Sequence, residues 1–399
     1  MKITKKHYDA VVIGGGIHGA GCAQLLSARG YSTLLIEKNT IGFGTSSKSS
    51  KLIHGGLRYL ESGQLNLVRK SLNERGILQK IAPELVHKRK FLIPIYKKNR
   101  LKNWQITIAL FLYNLLGNFR DDTAFIRIPK EKWSDYNIKK NGLISILQYW
   151  DAQTDDLELT KSVINSAKEM SCEVLEQAEF IEANVKNDTD ILVKILINEL
   201  EVKVKTKLII NAAGPWVKKT QSLIDFAPKG PLVDLVQGTH IEFDQPISKD
   251  IFYLESPSDH RPIFIMPWKD GTLVGTTEVL HKGSPDDSQP TKDEINYLEQ
   301  TLYHYFPNYN GKFICAWSGL RVLPKSNNPN ANKRRFSKQA RDTELVMDRK
   351  EKPRVISIFG GKLTAYRITA EDVAILAERT LGAPKKYTKT SEIKLVMPT

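Results

Sequence analysis

The feature that most constrains this chain lies in its first 37 residues. Ala10 to Ile13 is a short apolar, β-branched run that ends at Gly14-Gly15-Gly16. From Ile17 small and apolar residues (Ala20, Cys22, Ala23, Leu25, Leu26) recur at helical spacing up to Arg29-Gly30. The first segment reads as a buried parallel strand, the second as a helix with a basic last turn and a C-terminal glycine. Thr33 to Ile36 is a second apolar strand, closed by Glu37. A βαβ unit therefore opens the chain, and Gly14, Gly16 and Gly19 form G-x-G-x-x-G at its strand-to-helix turn. The first glycine permits the tight turn, the second lets backbone N–H groups approach a pyrophosphate, and the third lets helix pack on strand. Glu37, 23 residues after Gly14, can accept from both ribose hydroxyls and would repel a 2′-phosphate. The unit predicts a dinucleotide site, for FAD or NAD rather than NADP, flanked by Gly15, Ile17, His18 and Lys38.

With 399 residues, two or three domains fit, and 41% hydrophobic with 26% charged residues is an ordinary globular composition. Small disulfide scaffolds are excluded. Cys22, Cys172 and Cys315 are scattered, without CxxC spacing, so no metal site is expected and a reducing, cytosolic compartment fits best. The polar N-terminus does not read as a targeting peptide, and no run of apolar residues is long enough to span a membrane. Lys+Arg 59 against Asp+Glu 44 leaves +15, which points to an anionic partner without naming it. Further strands are predicted at 173–175, 191–197, 201–204, 207–210, 240–243, 263–266, 273–276 and 355–359. Helices are predicted at 66–81, 157–170, 292–305 and 363–380. Strands and helices alternate at both ends around a strand-rich middle, so a nucleotide-binding domain is interrupted by a second domain. The stretch Ser326–Asn332 is turn-rich and reads as a surface loop.

The segment after the ribose-binding acid, GTSSKSSKLIHGGLRYLE from Gly44 to Glu61, carries hydroxyls at Thr45, Ser46, Ser47, Ser49 and Ser50, where a flavin would continue. GGGIHGAG, TSSKSSKLIHGGLRYLE, NAAGPWV, SGLRVLP and FGGKLTAYR, in this order, closely resemble the FAD-dependent glycerol-3-phosphate dehydrogenases, within the D-amino-acid-oxidase-like flavoproteins. The similarity runs from about Tyr8 to Asp372. It implies an α/β fold: a Rossmann-like FAD-binding domain of glutathione-reductase type (1–90, 151–230, 340–399). Interleaved with it is an α+β substrate domain on an antiparallel sheet (91–150, 231–339). It implies oxidation of sn-glycerol 3-phosphate at C2 to dihydroxyacetone phosphate, with hydride passing to flavin N5 and electrons to a quinone. A phosphate dianion calls for Arg and Lys, and Arg58, Arg321 and Lys362 are the candidates. His54 is the candidate base. If Leu52–Tyr59 is helical, His54 and Arg58 point the same way. Gly360-Gly361-Lys362-Leu363-Thr364 follows a strand and opens a helix, whose N-terminus and Lys362 would stabilise the reduced flavin. Ala213 and Gly214 lie beside FAD in the family, and Gly361, Leu363 and Thr364 complete the cofactor set. His240, Thr276, Thr277 and Glu278 are further candidates on the substrate side. The sequence departs from the family's usual pattern at His18, Ala365, Val322 and Glu278. Its end at Thr399 leaves out the C-terminal helical domain of the respiratory members, and a homodimer stays open.

Lys88, Arg89, Lys90, Lys97, Lys98, Arg100, Lys102 and Arg120 fall in a stretch, 88–120, without Asp or Glu. Trp104 to Phe119 follows as an apolar helix with one polar stripe, Asn103, Thr107, Asn114 and Asn118. The pair predicts an anchor on an anionic membrane surface, peripheral on the inner face of the cytoplasmic membrane as the resemblance implies. Lys333, Arg334, Arg335, Lys338 and Arg341 are a candidate second patch. No aromatic-basic interleaving of a nucleic-acid module is present. The competing readings are an oxidase of the same fold or a dehydrogenase of another 2-hydroxy acid. A different class is a non-catalytic binding protein on the flavin fold.

Overall fold

The computed structural model describes residues 3–185, 190–325 and 343–398. The turn-rich loop at Ser326–Asn332 and the second basic patch lie outside them. Seven α-helices lie among the described residues: α1 Ile17–Ala28, α2 Leu65–Ile81, α3 Asn103–Leu116, α4 Asp156–Glu169, α5 Val217–Ser222, α6 Lys292–Tyr305 and α7 Tyr366–Leu381.

The opening βαβ unit forms as its pattern requires. His7–Ile13 pairs in parallel with Thr33–Ile36 on one side and with Leu200–Asn211 on the other. Its apolar residues are buried on both faces, as expected for a strand at the centre of a parallel sheet. The sheet continues through Val355–Phe359 next to Leu200–Asn211 and Glu173–Leu175 next to Thr33–Ile36. Helices α1, α4 and α7 cover one face through Leu25, Leu159, Val163 and Val373. The other face is covered by the antiparallel strands Ala178–Val185 and Ile191–Ile197, whose Phe180, Val193 and Ile195 pack on Val11, Ile13 and Leu34. The three-layer arrangement of the dinucleotide fold follows.

The second sheet has ten strands among those described. Its long antiparallel pairs are Val86–Tyr96 with Leu143–Thr154, and Val233–Phe243 with Phe313–Pro324. Phe91–Leu92 joins the two sets by pairing in parallel with Ile251–Phe252. One face packs on α6 (Leu298, Leu302, Tyr305) and the other on α2 and α3 (Val68, Leu72, Leu110, Tyr113). Thr291 and Glu294 cap α6 reciprocally, which sets its start.

Four expectations are corrected. The predicted strands at 201–204 and 207–210 are one strand, Leu200–Asn211, because its Lys and Thr residues continue the ladder with Ile191–Ile197. Leu52–Tyr59 is not a helix: Leu52–Ile53 is a short strand, and a 3₁₀ turn begins only at Leu57 after Gly56 at φ +78°. The helix predicted from Leu363 starts at Tyr366, after a 3₁₀ turn Leu363–Ala365. In α3 the polar stripe is not the solvent face. Asn114 accepts from Thr123 at 2.8 Å, Thr107 donates to the Asn103 carbonyl, and the exposed face is apolar. The basic run is also divided. Lys88-Arg89-Lys90 lies on a strand, Arg100 pairs with Glu61, and Arg120 with Asp122.

Candidate functional site

The glycine turn is as tight as its motif demands. A Cβ on Gly19 would sit 1.9 Å from the Gly14 carbonyl oxygen, and Gly14 itself has φ +108° with the Ala212 oxygen 2.7 Å from a built Cβ. Glu37 Oε2 accepts from Gly15 N at 2.6 Å and Oε1 from Asn39 N at 2.8 Å, so the carboxylate is fixed at the end of its strand. The N-terminus of α1 meets the serine segment, where Ser46 Oγ accepts from Ile17 N at 2.9 Å. Gly214, at φ +52°, has nothing within 4 Å of a built Cβ. A glycine frame, a free helix N-terminus and an oriented acid fit a dinucleotide at this end.

One cavity of about 380 Å³ runs from here into the second sheet, within the range of ligand sites. Gly14, Gly16, Ile17, His18, Glu37, Lys38, Thr45, Ser46, Ser49, His54, Arg58, Ala213, Gly214, Arg321, Gly361, Lys362, Leu363 and Thr364 all line it. Gly15, Gly19 and Ser47 do not. Gly15 and Gly19 shape the turn from behind. Two hydroxyls of the serine segment serve the protein's own backbone: Thr45 donates to the Leu320 carbonyl at 2.6 Å and Ser47 to those of Phe43 and Gly44. The segment is tethered by a buried ion pair, Lys51 Nζ to Asp156 Oδ1 at 2.5 Å. Asp156 also accepts from Ser49 N, and the ammonium lies 4.9 Å from the Trp317 ring centre.

His18 lies against the Gly361 turn, its Nε2 2.2 Å from a Cβ built on that glycine. Burial lowers its pKa to about 4, so the ring is neutral at neutral pH.

At the other end, His54 and Arg58 converge without a helix. His54 faces Phe264 at 6.5 Å, and Phe264 faces Tyr253 at 5.1 Å between centroids. Tyr59 lies between two cations, with Lys362 Nζ 4.0 Å and the Arg58 guanidinium 5.2 Å from its ring centre. Burial works against the Arg58 charge, but Tyr59, Glu278 and Tyr253 raise its pKa nonetheless. Arg321 donates to Thr276 Oγ1 at 3.3 Å and stands 3.8 Å from Glu278 Oε1. The other oxygen of Glu278 pairs with Arg261 at 3.2 Å, and Arg261 also donates to the Glu278 carbonyl. Four cations therefore surround the His54 end, with the one buried carboxylate of Glu278 behind two of them. Such a site suits a dianion such as a phosphate monoester.

Arg261 is missing from the sequence expectations. It sits in a turn without motif context, and only the pairing of Glu255 with Pro262 and of Phe264 with Gly275 brings it to Arg321. Of the further candidates, Thr276 lines the cavity and His240 does not. The His240 ring is buried, stacked on Trp317 at 4.2 Å and 3.0 Å from Ser50 Oγ. Burial, then Arg321 and Lys51, lower its pKa well below the usual value. Thr277 donates to Glu294 at 2.6 Å, which makes it part of the α6 cap.

Residues 9–367 match the family described as FAD dependent oxidoreductase. The aerobic glycerol-3-phosphate dehydrogenase of Bacillus subtilis (strain 168) is 30% identical over 390 residues, covering 95% of this chain and 68% of that protein. Its counterpart in Staphylococcus aureus (strain MRSA252) is 30% identical over 396 residues, with the same coverage. Among solved structures, the glycerol-3-phosphate dehydrogenase from Bacillus halodurans complexed with FAD superposes with a TM-score of 0.75 at 26% identity, over 98% of this chain and 68% of that one. The L-alpha-glycerophosphate oxidase from Mycoplasma pneumoniae shares the fold, with a TM-score of 0.75 at 18% identity over 97% and 98% of the two chains. The glycine frame, the oriented Glu37 and these matches lead to one conclusion: the chain is an enzyme of the FAD-dependent oxidoreductase family that takes its name from D-amino-acid oxidase.

Proposed function

We propose that this enzyme oxidises sn-glycerol 3-phosphate at C2 to dihydroxyacetone phosphate and passes the electrons to a quinone. The observation that carries the reading is the set Arg58, Arg261, Arg321 and Lys362 around His54 in the cavity that contains the dinucleotide frame. The identity to the aerobic glycerol-3-phosphate dehydrogenases supports it. The α1 N-terminus, Glu37, Ser46 and the Gly360–Thr364 turn would hold FAD, which when bound supplies the two-electron acceptor for the hydrogen on C2. Arg321 and Arg261, set by Glu278, hold the phosphate. Arg58 orients the glycerol chain, and Phe264 and Tyr253 exclude water beside His54. His54 takes the C2 hydroxyl proton as the carbonyl forms. Lys362 places positive charge on the flavin side.

Mixing the purified yellow holoenzyme with sn-glycerol 3-phosphate without oxygen tests the substrate. Loss of the flavin absorbance is expected, and unchanged absorbance rejects this substrate. Reoxidation by a soluble quinone faster than by air tests the acceptor, whereas fast peroxide formation with an inert quinone would assign an oxidase.

The same reading places the enzyme on an anionic lipid surface. Trp104, Ile108, Phe111 and Leu115 line one side of α3 and continue into Phe119. All are exposed, Trp104 by 64%, while Ile106, Leu110 and Tyr113 on the opposite side are buried. Lys97, Lys98 and Lys102 stand exposed at the start of this helix. No helix among the described residues is long and apolar enough to cross a membrane. An exposed apolar face beside cations suits a helix lying in the interface. Replacing the three lysines with Gln should release the protein from vesicles of anionic phospholipid. Unchanged cosedimentation removes the anchor.

A further inference from the structure

Helix α2 contributes Ser71 to the cavity wall, and one turn later carries two consecutive buried charges, Glu74 and Arg75. Each reaches a different side of the site. Glu74 takes both guanidinium edges of Arg367, Oε1 from Nη2 at 2.9 Å and Oε2 from Nε at 3.1 Å. Arg367 is the second residue of α7, five positions after Lys362, so this pair fixes the turn on the flavin side. Arg75 donates to Asp151 Oδ1 at 2.6 Å and to Asp122 Oδ2 at 2.7 Å. Asp151 in turn accepts from Gly55 N at 3.1 Å and from the Tyr113 hydroxyl at 2.8 Å, and that hydroxyl accepts from Gly55 N at 3.0 Å. Gly55 follows His54 directly. Its surroundings leave no slack, since a Cβ there would lie 2.4 Å from the Tyr113 oxygen and 2.5 Å from Leu72.

We propose that Glu74 and Arg75 are positioning residues that hold the Lys362 turn and the His54 turn in one frame, with Asp151 and Tyr113 as the connection to Gly55. Neither touches the reacting atoms. They act by fixing the separation between the group that accepts the proton and the side on which the flavin lies. Bidentate and charge-assisted hydrogen bonds in a buried setting give the directionality that a hydrophobic contact lacks. The role of the two turns rests on the glycerol-phosphate reading above, but the frame itself does not.

Two variants of the holoenzyme test this. Tyr113→Phe removes one hydroxyl without unpairing a charge, and Glu74→Gln keeps the shape while weakening the hold on Arg367. Hydrogen–deuterium exchange should accelerate tenfold or more in the peptide around Gly55 for Tyr113→Phe, and in the peptide 360–367 for Glu74→Gln, with FAD content unchanged. In anaerobic rapid mixing with sn-glycerol 3-phosphate, each variant should reduce its flavin about tenfold more slowly at saturation, while substrate affinity changes less than threefold. The double variant should lose less than the product of the two, because either substitution already releases the frame. Wild-type exchange, or faster exchange with wild-type reduction rates, overturns the proposal. Independent, multiplying losses overturn the single frame. If wild-type flavin is not bleached at all, the substrate reading fails, and the exchange measurements still judge the frame on their own.

Discussion

Removing the Arg321 side chain separates a substrate ligand from a structural cation. In Arg321→Ala, Glu278 does not become an unpaired buried charge, because Arg261 holds it at 3.2 Å and through its carbonyl. The lost protein contacts are one hydrogen bond to Thr276 at 3.3 Å and a 3.8 Å ion pair, both weak. The substrate loses a charge-assisted hydrogen bond, which contributes about 1.5–3 kcal/mol, or roughly 10- to 150-fold in KM. The assay is steady-state reduction of a dye or soluble quinone over a range of sn-glycerol 3-phosphate, with FAD content read from the ratio of flavin to protein absorbance. KM should rise by one to two orders of magnitude, with FAD content near wild type. Parallel loss of flavin and affinity would make Arg321 structural, and an unchanged KM would remove it from the substrate site. Arg261→Ala is the contrast, since it leaves Glu278 with only the 3.8 Å partner and should also lower stability.

Gly19→Ala should abolish FAD retention, because its methyl would overlap the Gly14 carbonyl at 1.9 Å; a yellow purified variant would contradict the geometry. Lys51→Met leaves Asp156 buried without its cation and should destabilise by about 3–5 kcal/mol, read as a fall in Tm; a Tm within two degrees or so would refute that. His18 and His240 have folded pKa values below the ordinary value of about 6.5, mainly through burial, so their neutral forms are the ones the fold favours. Their contribution is complete above pH about 6.5 and is lost as pH falls from there toward 4. The Tm of His18→Asn should therefore decline less steeply over that window than the wild type, and equal slopes would reject the assignment.

The cofactor end was legible because its constraints are local. Thr33–Ile36 and the G-x-G-x-x-G turn are each specified by neighbours in sequence, and so is α6, where acids open the helix after Thr291. The second sheet was not. Val86–Tyr96 starts with exposed His87-Lys88-Arg89-Lys90 and contains Pro94, so its composition argues against the central strand it forms. Trp150 on the neighbouring strand explains the tolerance, with Lys88 Nζ 4.3 Å over its ring. The substrate end was half legible. His54, Arg58, Arg321 and Lys362 lie in recognisable motifs, and the structure draws all four to one cavity. Arg261 and the pair Glu74–Arg75 carry no such signal. In sequence the pair reads as the solvated charges of a surface helix, and only partners as distant as Arg367, 293 positions away, reveal it as buried.

The four cations around His54 also limit what they can do for the reaction. Glycerol phosphate and its oxidised product carry the same phosphate, so Arg261 and Arg321 hold both with nearly equal strength. Interactions shared by ground state, transition state and product lower KM without raising kcat. On the glycerol-phosphate reading, the enzyme is therefore subject to product inhibition at concentrations close to its KM, and inorganic phosphate competes for the same arginines. Turnover would then be governed by how fast dihydroxyacetone phosphate is removed.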